Sequence, residues 1–231
     1  MRCYLRPEDS EMTSQAQKAF GENCGEIDRL LEIHGDITPE GRGRKWKVEA
    51  LHKSAFVLLT AFWEAFCEDL AAEALNHLVK HSTTANGLPS ELKKLVAQEL
   101  KDDLHDLAVW RLADDGWRAV LSSRLTKLQA ERNRRLNTPK TSQINDLFKS
   151  AVGVENVAKA WYWPGMRASA AAKKLDAFVT LRGEIAHRGS AATSVTKQQV
   201  TDYYNHVKRL TTRTEARVAQ VITTSTGAPP W

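Results

Sequence analysis

Apolar side chains recur at three- and four-residue steps through most of the chain, and alternating apolar–polar runs are nearly absent. The spacing predicts helices over 10–33 (with Gly21 and Gly25 as candidate interruptions), 45–80, 91–112, 115–135, 143–152, 167–187 and 195–222. The longest, 45–80, places Val48, Leu51, Ala55, Leu58, Leu59, Phe62, Phe66 and Leu70 on one core-facing stripe. At ~1.5 Å per residue it would be ~54 Å long, too long for one short partner to cover, so it reads as the spine of a bundle. Helix 167–187 turns Leu175, Phe178, Val179 and Ile185 inward. Gly- and Pro-containing stretches separate the helices at 34–44, 81–89, 137–140, 164–165 and 188–194. Ser142 is placed to cap the helix after it. The pattern predicts an all-α fold, an antiparallel helical bundle with additional helices.

Composition narrows the setting. The 231 residues, 42% hydrophobic and 26% charged, suit an ordinary folded domain. No apolar run approaches the roughly 20 residues that cross a bilayer. The first twelve residues, MRCYLRPEDSEM, lack the apolar stretch of a signal peptide, so a cytoplasmic location is expected. Cys3, Cys24 and Cys67 show no metal-type spacing and read as reduced thiols.

The net charge of +5 is unevenly spread. Residues 64–106 hold nine acidic and four basic side chains. Residues 118–149 hold eight basic and two acidic, and residues 164–231 ten basic and four acidic. A basic C-terminal half suits a polyanionic partner; solvated helix faces would produce the same count.

Several catalytic signatures are missing: there is no Gly-rich phosphate loop, no HExxH, no paired CxxC and no GxSxG. His77 and His81 stand four apart but without a third ligand, so no metal or other cofactor is expected. Cys67 sits in an apolar helix and reads as core filler. Trp161, Tyr162 and Trp163 could stack on bases, although aromatic residues beside a Pro–Gly turn more often pack.

The informative segment is LRGEIAHRG, residues 181–189, at a helix C-terminus. Arg182 and His187 are five residues apart and on an ideal helix diverge by roughly 140°. Unwinding at Arg188–Gly189, or a second copy facing the first, would relax that divergence. By spacing alone Arg182 reads as a surface side chain, and His187 as a helix-end histidine favoured by the dipole.

With its neighbours, this segment resembles the R-x4-H signature of the HEPN superfamily. EIDRLL at 26–31, GRKWKVEAL at 43–51, AFWEAFCEDL at 61–70, and NTP at 137–139 ahead of INDLF at 144–148 are similar to its RiboL-PSP branch, in the same order. The resemblance implies a HEPN-like helical domain over 26–222, leaving a helical extension at 1–25 and a disordered tail at 223–231. It also implies a metal-independent endoribonuclease, often a homodimer, in a toxin–antitoxin or antiviral setting with an antitoxin or other defence protein as partner. Arg182 and His187 would be the catalytic pair. Glu64 and Glu184 are candidate supporting carboxylates, and Arg188, Arg132, Arg134 and Arg135 candidate RNA contacts. The chain departs from the pattern at Gly183, where many active members carry a polar residue; a non-catalytic RNA-, nucleotide- or protein-binding module is the other reading.

Overall fold

The computed structural model describes residues 13–36, 48–130, 138–188 and 194–231. Among them are seven α-helices and no strand: α1 (Gln15–Asp36), α2 (Glu49–His81), α3 (Ser90–Lys101), α4 (Gly116–Ala130), α5 (Thr141–Val152), α6 (Ala168–Arg188) and α7 (Lys197–Thr226). The all-α expectation holds.

The spine is α2, with α1, α4, α5, α6 and α7 packed around it. A helix ringed by partners is apolar on more than one face, so the single stripe read from the sequence is too narrow. His52, Phe56, Leu59, Trp63, Phe66, Leu70 and Leu75 are all buried, whereas Leu58, assigned to that stripe, is 37% exposed. Mid-helix, Trp63 stacks on Phe66 and meets Trp161 edge-on. Its indole N–H donates to the Pro139 carbonyl at 3.2 Å, fastening the segment before α5 to the spine.

Several expectations are corrected. Helix α1 runs unbroken through Gly21 and Gly25, so neither glycine interrupts it. The helix expected over 91–112 stops at Lys101. Asp103 then accepts from the His105 backbone N–H at 3.0 Å and from Arg111 at 3.0 Å, a local alternative to the helical ladder, and a 3₁₀ turn follows at Ala108–Leu112. Ser142 does not cap α5, which begins one residue earlier. Asp176 of α6 accepts instead from the Thr141 N–H at 2.7 Å and hydroxyl at 2.9 Å. The expected disordered tail holds the last turn of α7, closed by Gly227 at φ 76, and Trp231 packs against the core.

Helices α6 and α7 carry the segment that holds Arg182 and its neighbours across the bundle. The WPGM stretch makes a tight turn into α6, with Trp163 and Met166 exchanging backbone hydrogen bonds at 3.1 and 2.9 Å and Gly165 supplying φ 80. Thr196 and Gln199 form a capping box that starts α7. The two helices run antiparallel: Phe178 stacks on Tyr203, and further along α7 the buried His206 donates Nε2–H to the Ala171 carbonyl at 3.0 Å. Burial pushes His206 down to about 4, which keeps it a neutral donor.

Candidate active site at the seam of α2, α6 and α7

Arg182 continues the core-facing row of α6. Ala171, Leu175 and Val179 precede it at helical spacing and are buried, as is Ile185 one turn later. The guanidinium therefore enters the seam between helices. Its Nε is shielded from solvent and has no hydrogen-bond partner among the described residues. A surface Arg would keep that atom in water, so the surface reading is set aside. A shielded donor without an acceptor costs free energy, and an incoming phosphate or carboxylate oxygen would relieve that cost.

Two groups on neighbouring helices, Glu64 and Tyr203, face this charge electrostatically. Glu64 on α2 is half-buried, and its carboxyl is pushed up to about 7 by burial and by the charge of Glu68, with Arg182 opposing. Glu68, one turn further, is itself buried. On α7, burial holds the Tyr203 hydroxyl well above the usual phenol range, again with Arg182 opposing. Tyr203 Oη lies 3.0 Å from Thr60 Oγ1, one turn before Glu64, and Thr60 also donates to the Phe56 carbonyl at 2.9 Å. Thr60, Glu64 and Glu68 thus form a four-residue ladder down one side of α2. A carboxyl titrating near neutrality beside a fixed guanidinium can exchange a proton while the Arg binds an anion.

The structure keeps α6 helical through Arg188, so the expected unwinding of its last turn does not occur. Positions 182 and 187 lie about 140° apart around a continuous axis. The side chains of His187 and Arg188 fall outside the described set, as do Arg132, Arg134 and Arg135 entirely. Glu184 is half-buried on α6. Gly183 has open space where a Cβ would stand, so packing does not require glycine there.

The other candidates divide. Cys67 is fully buried, and burial raises its thiol well above the ordinary range. His77 and His81 stack with ring centroids 4.2 Å apart; no group of three or more metal-ligating side chains occurs among the described residues. Trp161 is fully buried and donates to Thr214 at 2.9 Å, while Tyr162 is 59% exposed. Sequence reasoning missed Glu68 and Tyr203. Glu68 was visible as the i+4 neighbour of Glu64; Tyr203 carried no local signal.

Comparison with known proteins agrees with the helical architecture. The model of the RiboL-PSP-HEPN family matches residues 22–219. No curated protein and no solved structure matches the chain. The matched span takes in α2, α6 and the Arg182–His187 segment and covers most of the 231 residues: the chain belongs to the RiboL-PSP-HEPN family.

Proposed function

We propose that the protein is a metal-independent endoribonuclease. A 2′-hydroxyl of the RNA gives up its proton and attacks the adjacent phosphorus. The O2′–P bond forms as the P–O5′ bond breaks, and the leaving O5′ takes up a proton. The products are a 2′,3′-cyclic phosphate and a 5′-hydroxyl. Arg182 neutralises charge developing on the phosphate oxygens, and His187, whose side-chain type titrates at ~6.5, transfers protons. Glu64 sets the charge state around Arg182. The observation that carries this reading is the shielded, unpartnered Nε of Arg182 on the core-facing row of α6, five residues before His187 in a chain of an RNase-type, RNA-related family.

A homodimer would bring a second Arg182–His187 pair to the cleft and let one histidine act as base and the other as acid. A cytoplasmic toxin or antiviral role, held in check by an antitoxin or other defence protein, fits such an activity. Among the described residues no helix is long and apolar enough to cross a membrane.

The test is end-group analysis of RNA incubated with the protein in excess chelator. Cyclic-phosphate termini support the proposal; 3′-hydroxyl termini, or cleavage that chelator abolishes, contradict it. A second reading, a non-catalytic module for RNA, nucleotide or protein, is favoured by Gly183, which puts no polar side chain at the position directly after Arg182. RNA binding with a steep salt dependence and no product would select it.

A further inference from the structure

The turn that launches α6 leaves one aromatic ring open to solvent. Trp161 is buried and Trp163 packs against the core, but Tyr162 between them is 59% exposed. The Arg213 guanidinium lies 5.6 Å from the Tyr162 ring centroid, and that of Arg209 lies 5.4 Å from Trp163. Lys174 stands 5.6 Å from the ring of Phe178. Two cations of α7 therefore stand against this aromatic turn, Arg213 beside the exposed ring itself and Arg209 beside its neighbour.

The charge along the segments that carry these rings is one-sided. Residues 162–176 and 208–217 contain Arg167, Lys173, Lys174, Lys208, Arg209, Arg213 and Arg217 against only Asp176 and Glu215. Both carboxylates are engaged elsewhere. Asp176 caps α5 through Thr141. Glu215 is buried and accepts from the Ser14 N–H at 2.8 Å and hydroxyl at 2.6 Å. Among the described residues neither forms an ion pair with Arg213 beside Tyr162, whose charge favours an anionic neighbour there.

We propose that Tyr162, flanked by Arg209 and Arg213, is a stacking platform for single-stranded RNA. A base lies on the phenol ring while the two guanidinium groups take the adjoining phosphates. A duplex keeps its base faces stacked inside and cannot use the ring. Tyr162 precedes α6, and Arg182 lies fourteen residues into that helix, ~21 Å along its axis. A strand of a few nucleotides spans that distance, within the roughly 4–16 nucleotides that single-strand grooves cover. The platform thus deepens the ribonuclease reading, on which it rests for its choice of RNA, by giving the substrate a single-stranded anchor away from the cut.

The test uses the full chain and a fluorescent 2′-O-methyl oligouridine, which cannot be cut by 2′-hydroxyl attack, with an RNA duplex of equal length for comparison. Tyr162→Ala should weaken single-strand binding about tenfold, the loss of one stacked base. Tyr162→Phe, which keeps the ring, should bind as the wild type does. Arg213→Ala should lower the slope of log affinity against log salt by about 1, and Tyr162→Ala should leave duplex binding unchanged. Single-strand affinity unchanged in Tyr162→Ala, or lost equally in Tyr162→Phe, would overturn the platform. A protein that cuts no RNA at all but binds the oligouridine through Tyr162 would keep the platform and remove the ribonuclease reading.

Discussion

Tyr203 Oη and Thr60 Oγ1 lie 3.0 Å apart across the seam of α2 and α7, although 143 residues separate them in the chain. The pair stands one helical turn from Glu64 and carries a phenol whose titration feels Arg182. It fixes how deep α7 sits against the wall of the candidate site. Tyr203→Phe removes this bond and leaves Thr60 its contact with the Phe56 carbonyl. The expected cost is about 1 kcal/mol, or ~2–4 °C in Tm for a chain of this size. Thermal unfolding checks it; an unchanged Tm would mean that the hydroxyl pair adds nothing to the packing.

Glu64 gives the fold a pH dependence of known sign. Its carboxyl moves from an ordinary 4.5 to about 7 on folding, so the folded state favours the protonated form. The stabilisation is fully present below the unfolded value and is lost as pH rises through about 7. Glu64→Gln, a neutral mimic of the protonated acid, should therefore raise Tm at pH 8 and change little at pH 5. The effect at pH 8 should be of the order of 1 kcal/mol, since the group is partly solvated. Equal shifts at both pH values would show that amide packing, and not the proton, is responsible.

Asp176→Ala takes away the acceptor for the Thr141 N–H and hydroxyl. A lost cap costs about 0.5–2 kcal/mol, here at α5 and at its attachment to α6. Ser142→Ala, at the position first expected to cap, should lie within about 0.5 kcal/mol of wild type. Denaturant midpoints for the two variants decide the assignment: if Ser142→Ala proves the more damaging, the cap has been placed wrongly.

The helices were legible in the sequence because a 3.6-residue period survives whatever the partner is. What failed was information held elsewhere in the chain. The cap of α5 comes from Asp176 on another helix; the break after Lys101 is the exception, a local competition by Asp103 for backbone groups that the helical period masks. The full girth of α2 was hidden because only the assembled bundle shows how many neighbours it has. Arg182 was half legible. Its place in the row of Leu175 and Val179 pointed inward, yet an Arg on an apolar row also reads as a long side chain reaching water. The 143-residue separation of Thr60 and Tyr203 left no local trace.

Gly183 separates what packing requires from what chemistry prefers. Among the described residues, nothing outside its own stretch of helix lies within 4 Å of a Cβ placed there, and glycine inside a helix costs roughly 0.5–1 kcal/mol relative to Ala. Gly183→Asn should fold with stability equal to or slightly above wild type. If a polar group beside Arg182 assists phosphate binding, its cleavage rate should also rise. Circular dichroism and initial rates on one RNA measure both. A destabilised Gly183→Asn protein would mean that the open space is occupied by something else, such as a second copy of the chain.

Arg182 and His187, in the proposed function, cut RNA together. The most direct measurement is the initial cleavage rate of mixed RNA in chelator by wild type, Arg182→Ala and His187→Ala, each confirmed folded by circular dichroism. Wild type should cleave, and each variant should lose about 100-fold or more, as expected for removing a charge-stabilising or proton-transferring group. Equal cleavage by all three, or none by the wild type at any concentration, would contradict that function.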